Sequence, residues 1–252
     1  MKLDIYRMYI GKDISKERKL KIQYDKKGRK RPAWIKIEGL RKNVFQIAVR
    51  VNGKRIFYQI YLSPKIQLFL PENYTKEEIR EFYNEFAKIY NDFVVKNNQP
   101  ATAFLLKKMR LKKESKILDL GAGTGINAIV LKRKRYTNIT LLDYAEEMLK
   151  KAKKKKLLKH CRFIYTDLRE WKSKEQFDCI ISVFSFALNS YFKEEEMPSL
   201  WKKIYASLKP KGMLALIGHD YNPPTNLFIK KKYGRYEIIP KYKMKWYIGE
   251  KR

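Results

Sequence analysis

Cysteine and histidine are scarce in this chain of 252 residues, which holds two of each. Cys161 and Cys179 do not form a C-x-x-C pair, and neither lies beside a cluster of histidines. Zinc sites and disulfide frameworks need such spacings, so the sequence argues against both and predicts that no metal is bound.

Long apolar runs are also missing. The longest one, at about residues 179–188, is interrupted by Ser182 and Ser185, whereas a membrane-spanning helix needs about 20 apolar residues. The first residues lack the apolar segment of a signal peptide. We therefore expect a cytoplasmic protein without a transmembrane segment.

Acidic residues are few relative to basic ones. The chain has 26 Asp and Glu against 58 Lys and Arg, a net charge of +32. A field of this size attracts polyanions such as RNA, and salt weakens that attraction. Lys, Ile, Tyr and Asn are all frequent, as an AT-rich coding bias would produce. Charge alone therefore leaves a functional and a compositional explanation open.

Residues 1–70 are basic, β-branched and aromatic, which predicts a small antiparallel β unit as an accessory domain. Candidate strands lie at residues 33–38, 44–51 and 55–62, and Asn52-Gly53 between the last two is typical of a tight hairpin turn. Basic residues that alternate with aromatic ones suit RNA. The same alternation also describes strands with one buried and one solvated face.

Residues 71–220 have the pattern of an α/β core. Thr75-Lys-Glu-Glu78 forms a capping box that predicts a helix running to about Lys96, and Pro100 closes that segment. From about residue 115 to 218, short apolar runs alternate with helical patterns. This alternation predicts a doubly wound, mostly parallel sheet with right-handed crossovers.

Residues 221–252 form a basic, aromatic tail. Two short runs within it, at residues 236–239 and 245–248, are typical of a final strand pair. The tail is therefore expected to complete or flank the sheet.

The most informative stretch is Ile117-Leu-Asp-Leu-Gly-Ala-Gly-Thr-Gly125, in which an apolar strand runs into a glycine-rich turn. Gly121 allows a sharp turn, and Gly123 removes the Cβ that would block a ligand. A dinucleotide loop would have its third glycine at position 126, which is Ile, and a phosphate loop would need Gly-Lys-Ser/Thr, which is absent. Both phosphate-binding alternatives are therefore weakened.

Asp143 ends the next predicted strand, 18 residues after Gly125. A carboxylate at that position can accept hydrogen bonds from both hydroxyls of a ribose. It could instead cap the helix that begins near Ala145. Together with the glycine loop, Asp143 indicates a ligand of the adenosine type.

In this order, these motifs resemble those of the class I S-adenosylmethionine-dependent methyltransferases. Residues 117–125 are similar to the signature loop of that family, which has an acid two residues before G-x-G-x-G. The resemblance extends over about residues 76–218 and includes four further segments: the leading helix at 86–90, the acid of 163–168, the fourth strand at 177–185 and the turn at 208–212.

The resemblance implies S-adenosylmethionine as the cofactor and no metal. It implies that Asp119 helps to hold the amino-acid end of the cofactor, Asp143 the ribose and Asp167 the adenine amino group, while Tyr90 lies over the cofactor. The implied cofactor set is Asp119, Gly121, Ala122, Gly123, Gly125, Asp143, Tyr144, Asp167, Leu168, Ser185 and Tyr90. No catalytic residue is assigned, because a general base is needed only when the nucleophile carries a proton.

The methyl acceptor is not identified by the sequence. Residues after the fourth strand face the substrate in this family, so Asn189 and Tyr191 are candidates for contact with the acceptor, although Asn189 could equally cap a turn. Three hypotheses follow. The acceptor is RNA or an RNA-bound protein, or it is a small or lipid-like molecule, or the chain is a non-catalytic module that binds the cofactor.

Overall fold

A computed structural model of the chain describes residues 4–9, 43–51, 54–62, 68–69, 76–87, 90–185, 192–218, 223–239 and 242–252. The chain divides into two compact units, Met1–Glu78 and Ile79–Arg252. Among the helices of these residues, none combines the length and the apolar character that crossing a bilayer requires.

The first unit contains a four-stranded antiparallel sheet in the order β1-β2-β3-β4. Its strands are β1 (Asp4–Tyr9), β2 (Asn43–Val51), β3 (Lys54–Leu62) and β4 (Leu68–Phe69). Strands β2 and β3 pair without a register shift as far as Val51 and Lys54, so the predicted hairpin is present. The turn residues Asn52-Gly53 and the candidate strand at 33–38 lie outside the described residues.

The second unit is built on a seven-stranded sheet in the order β10-β11-β9-β8-β5-β6-β7. The strands are β5 (Ile117–Leu120), β6 (Ile139–Asp143), β7 (Arg162–Tyr165), β8 (Phe177–Val183), β9 (Leu208–Gly218), β10 (Phe228–Ile239) and β11 (Tyr242–Lys251). Strands β5 to β9 run parallel to one another. Strand β11 lies between β9 and β10 and is antiparallel to both. The predicted mostly parallel α/β sheet is confirmed.

Five α-helices accompany the sheets in the described residues: α1 (Lys76–Phe86), α2 (Tyr90–Lys108), α3 (Ile126–Arg133), α4 (Glu146–Lys153) and α5 (Met197–Ala206). Apolar side chains of α2, α3 and α4 pack with one face of the seven-stranded sheet, and those of α5 pack with the other. Both faces of the central strands are therefore covered, which explains why their sequences are continuously apolar rather than alternating.

Pro100 does not end the helical segment as the sequence predicts. Two helices replace the single expected one, and α2 continues through Pro100 to Lys108. A proline inside a helix costs about 3 kcal/mol. Ala101 and Leu105 are fully buried against the sheet, and this packing outweighs the cost. Pro100 itself lies on the exposed side of the helix.

The tail joins the sheet as a long hairpin of β10 and β11. In the described part of the connection that precedes it, residues 223–227, the chain forms turns and no helix. Helix α2 covers one face of the hairpin, where the Phe104 ring lies 4.9 Å from that of Tyr236 and 5.3 Å from that of Trp246. The hairpin is thus a structural part of the second unit.

Candidate cofactor site

A cavity opens where the carboxyl ends of β5, β6 and β8 meet, the position at which open α/β sheets bind ligands. It is lined by Tyr83, Tyr90, Leu120, Gly121, Gly123, Leu142, Asp143, Tyr144, Met148, Thr166, Asp167, Leu168, Arg169, Phe184, Ser185 and Phe192. The glycine loop forms one wall of the cavity, Asp143 ends β6, and Asp167 follows β7.

The three loop glycines all have positive φ angles, 71° at Gly121, 53° at Gly123 and 76° at Gly125. Side chains other than glycine rarely adopt this conformation. A Cβ on Gly123 would lie 3.6 Å from the Tyr90 ring at the cavity, whereas a Cβ on Gly125 would lie 2.5 Å from Leu158 in the core. Gly123 therefore leaves space for a ligand, and Gly125 leaves space for packing.

Gly121 is fixed against the end of β8. The Ser185 hydroxyl donates a hydrogen bond to the Gly121 carbonyl at 2.7 Å, and a Cβ on Gly121 would lie only 2.3 Å from that of Ser185. Any side chain at position 121 would therefore push the loop away from β8 and deform the cavity.

Asp143 joins the glycine loop to the start of α4. Its Oδ2 accepts the Gly123 N–H at 2.7 Å, and its Oδ1 accepts the Ala145 N–H at 2.8 Å. Burial raises the pKa of this carboxyl to about 6, against the lowering effect of the backbone hydrogen bonds. A carboxylate has about four acceptor positions, so the side chain can organise the loop and still accept from a ligand's hydroxyl group.

Asp167 lies in a charged cluster at the same cavity. It accepts the Arg169 N–H at 2.8 Å, and the Arg169 Nε lies 3.1 Å from both of its oxygens. The Arg169 guanidinium also contacts Glu196 at 3.2 Å and lies over the Phe192 ring at 5.3 Å. Arg169 therefore connects the loop after β7 to the segment that enters α5.

Asp119 lies behind the glycine loop rather than in the cavity wall. It is fully buried, and burial, with a smaller contribution from the charge of Asp143, raises its pKa to about 7 against the Asn127 hydrogen bond. Its Oδ1 accepts the Asn127 Nδ2–H at 3.0 Å, and the Asn127 Oδ1 accepts the Thr102 hydroxyl at 2.9 Å. Its Oδ2 has no partner within the described residues.

These features fit a ligand that brings a positive charge or a hydrogen-bond donor to the loop. A buried carboxylate oxygen without a partner is costly, and a cationic group at the loop would stabilise it. The space left by Gly123 allows the ligand to approach the backbone closely. Metal ligation has no comparable support, since no three His, Cys, Asp or Glu side chains among the described residues are placed to hold an ion.

The cavity brings together eight of the residues expected to bind the cofactor: Tyr90, Gly121, Gly123, Asp143, Tyr144, Asp167, Leu168 and Ser185. Three others, Asp119, Ala122 and Gly125, do not line it and support the loop from behind. The acceptor candidates Asn189 and Tyr191 lie outside the described residues.

Half of the cavity wall is not predicted from the sequence. The missed residues are Tyr83, Leu120, Leu142, Met148, Thr166, Arg169, Phe184 and Phe192. Most are apolar residues at the ends of strands or in helices, where sequence patterns do not separate core from cavity positions. For Arg169 a signal was available, because a charged residue two positions after a candidate ligand-binding acid is placed to pair with it.

Comparison with known proteins agrees with this geometry. Residues 117–212 match the family model described as a methyltransferase domain. Trans-aconitate 2-methyltransferase of Yersinia pestis (strain Pestoides F) is 29% identical over 130 residues, which are 51% of this chain and 47% of the relative. Malonyl-[acyl-carrier protein] O-methyltransferase of Priestia megaterium is 29% identical over 142 residues, 55% of this chain and 50% of the relative.

Among solved structures, the complex of DhpI with SAH shares the fold. It has a TM-score of 0.55 at 16% sequence identity, and the alignment covers 70% of this chain and 96% of DhpI. The chain spans about half the length of the two curated relatives named above.

Sheet order, loop and family match together define a class I methyltransferase fold around an adenosine-type site. Residues 117–212 form a methyltransferase domain, and the core of this chain has the features of the class I S-adenosylmethionine-dependent methyltransferases. The predicted family and its cofactor, S-adenosylmethionine, are confirmed.

Proposed function

We propose that this protein transfers the methyl group of S-adenosylmethionine to a small organic acid or to an acyl group that ends in a carboxylate. The observation that carries the transfer itself is the single cavity shared by the glycine loop, Asp143 and Asp167. S-adenosylmethionine held there would supply an electrophilic methyl group on a sulfonium, and its transfer to a nucleophile would release the thioether as the leaving group.

In this proposal, different side chains bind different parts of the cofactor. Asp143 accepts from the ribose hydroxyls, Asp167 accepts from the adenine amino group, and Asp119 stabilises the positive amino-acid end from behind the loop. Tyr90, whose ring lies against Gly123, covers the bound cofactor. The rate then comes mainly from aligning nucleophile, methyl and sulfur, because proximity can supply about 7–11 kcal/mol of a reaction barrier.

Two observations favour an acid as the acceptor. The relatives with named acceptors act on trans-aconitate and on a malonyl group held by a carrier protein, both of which are carboxylic acids. In addition, Tyr83, Tyr90 and Tyr144 line the cavity wall, and tyrosine hydroxyls can donate hydrogen bonds to a carboxylate. A carboxylate is already ionised at neutral pH, so its methylation needs no general base.

The RNA hypothesis receives less support. The curated relatives named above act on acids, and the positive charge that first suggested RNA is not concentrated in the cavity, where Arg169 already pairs with Asp167 and Glu196. The contact of Asn189 and Tyr191 with the acceptor stays a prediction, and both residues are equally compatible with an acid.

Transfer of a tritiated methyl group tests the proposal. Purified protein is incubated with labelled S-adenosylmethionine and a panel of di- and tricarboxylic acids and malonyl thioesters, with a bulk RNA fraction in parallel. A methyl ester releases labelled methanol under alkali, whereas N-methyl groups of RNA do not. We expect alkali-labile label from an acid, and alkali-stable label in RNA would contradict the acid acceptor.

Calorimetry separates cofactor binding from turnover. Asp143→Asn should weaken binding of S-adenosylmethionine by roughly 1.5–3 kcal/mol, because it removes a charged double acceptor. Glu146→Gln is a matched control, since Glu146 is an exposed acid three residues further along. Equal affinities of both variants would refute the ribose assignment, and binding without any turnover would support the non-catalytic hypothesis.

A further inference from the structure

A second feature of the methyltransferase unit lies opposite the cavity, at the amino ends of the parallel strands. Three chain segments enter β5, β6 and β7 there: residues 107–116, 132–138 and 159–162. Together they contain twelve Lys and Arg against one acid, Glu114, a net charge of +11. We call these three segments the basic rim.

The three segments are joined to one another. The Thr137 N–H donates to the Lys113 carbonyl at 3.2 Å, and the Lys132 Nζ donates to the Thr137 carbonyl at 2.8 Å. Glu175 pairs with both Lys116 and Arg162, and so links the first segment to the third. These contacts place the three segments side by side at the amino ends of the strands.

Most of the cations on the rim face solvent. Exposed members are Lys107, Lys108, Arg110, Lys112, Lys113, Arg133, Lys134, Arg135, Lys159 and Arg162. Part of this charge has a structural explanation, because cations at the carboxyl ends of α2 and α3 interact favourably with the helix dipoles. That explanation applies to the last turn of each helix and does not account for the cations beyond it.

Arg135 indicates that a cation is kept on the rim against a conformational preference. Its φ is 66°, and it follows the last turn of α3 in a Schellman motif, in which the Arg135 N–H donates to the Lys132 carbonyl and the Tyr136 N–H to the Leu131 carbonyl. This left-handed position is usually occupied by glycine, since other residues are strained there. Here it carries an arginine.

The side chains of the rim also restrict the partner. The exposed large apolar side chains of the described unit are Leu157, Tyr165, Ile229 and Tyr233, and none of them belongs to the rim. A surface of cations without exposed aromatics lacks the aromatic platforms on which single-strand binders stack bases, and it lacks the apolar groups that insert into a bilayer. It matches a regular array of phosphates, where cations bind independently of sequence.

We propose that the basic rim binds the phosphate backbone of a nucleic-acid duplex and anchors the methyltransferase unit with its cofactor cavity on the opposite edge of the sheet. The duplex is then a docking partner and not the methyl acceptor. This inference is independent of the acceptor proposed above, because rim and cavity lie at opposite ends of the same strands.

Fluorescence anisotropy with a labelled short RNA duplex tests the rim. The rim variant is Arg133→Gln with Lys134→Gln and Arg135→Gly. Its matched control, Lys193→Gln with Lys202→Gln and Lys231→Gln, removes three exposed cations that lie outside the rim. Affinity is measured from about 50 to about 200 mM salt, a range over which phosphate contacts weaken steeply.

The rim variant should bind the duplex at least tenfold more weakly at the lower salt concentration, and its log–log salt slope should fall by about 3, one for each lost phosphate contact. The control should stay within about threefold of wild type, since its cations lie elsewhere. Equal losses in both variants would overturn the proposal in favour of overall charge. Rim-dependent binding to phosphatidylserine vesicles, with no binding to the duplex, would overturn it in favour of a membrane.

Arg135→Gly alone gives a test that unfolding cannot imitate. Glycine relieves the strain at this position, so the variant should melt at a higher temperature than wild type while binding the duplex more weakly. A variant with higher thermal stability and unchanged duplex affinity would contradict a role for the rim.

Discussion

Asp119 and Asp143 are buried carboxyls on either side of one glycine loop. Both have raised pKa values, about 7 and about 6, chiefly because burial disfavours their charged forms. In the unfolded chain such groups titrate near 3.9. Above that pH the unfolded state has lost the two protons, while the folded state still holds them. The free energy of unfolding therefore falls as the pH rises, and the loss is complete once the pH has passed through the folded pKa values of about 6 and 7.

Asp119→Asn should therefore make the protein less sensitive to pH. The amide can still accept from Asn127 but never ionises, so the free energy of unfolding near pH 8 should exceed that of wild type by roughly 2–4 kcal/mol, because burial raises the Asp119 pKa to about 7. Near pH 4 the two proteins should be equally stable. Urea denaturation over this pH range measures both, and parallel stability curves would show that Asp119 is not buried as described.

Residue types and spacing were sufficient to find part of the site. An acid before the loop, three glycines and an acid at the next strand end are readable in sequence, because each has a backbone or charge requirement that few residues meet. Which of them face the ligand was not readable. Gly123 and Gly125 have the same residue type and similar φ angles, yet one borders Tyr90 and the other borders Leu158.

At the scale of elements, the described connection from β9 to β10 contains turns and no helix. One face of the hairpin is covered by α2, through Phe104 and its contacts with Tyr236 and Trp246. The sequence placed a strand pair in the tail correctly but ended α2 too early. A proline signals a helix end by local geometry, whereas the burial of Ala101 and Leu105 that overrides it is a tertiary effect.

Phe104→Ala should loosen the hairpin. Phe104 is partly buried, so truncation should lower the free energy of unfolding by about 2–3 kcal/mol, less than the roughly 3–5 kcal/mol of aromatic-to-alanine changes in cores. Hydrogen exchange should speed up at the amides of β10 and β11 before those of β5 and β6. Phe104→Leu is the control that retains most of the apolar contact, and unchanged exchange in the hairpin would mean that α2 does not hold it.

At the scale of the whole molecule, the positive charge is not distributed evenly around the methyltransferase unit. Cations gather at the amino ends of the strands, while acids meet the cavity at the carboxyl ends. The α/β topology brings the carboxyl ends of the helices to the amino ends of the strands, where cations interact favourably with the helix dipoles. A cationic cofactor and a polyanion can thus be attracted to different edges of one unit.

Binding of S-adenosylmethionine should stabilise the unit as a whole. At a ligand concentration of about 100 times Kd, linkage predicts an increase of about 2.7 kcal/mol in the free energy of unfolding. Thermal melting with and without the cofactor measures this increase, and protection from hydrogen exchange should appear at the loop and at the end of β6. Asp143→Ala should reduce the increase, and an undiminished effect would place the cofactor elsewhere.

The amino-acid sequence by itself determined the fold class, the glycine loop and the family of cofactor. Strand-helix alternation and glycines at positive φ are local requirements, so the residue types along the chain are enough to predict them. Only the tertiary structure decided which acids line the cavity, that α2 passes Pro100, that Arg169 joins two segments around the cavity, and that scattered lysines form one rim. Those outcomes depend on which residues distant in sequence become neighbours, and packing rather than local preference sets that.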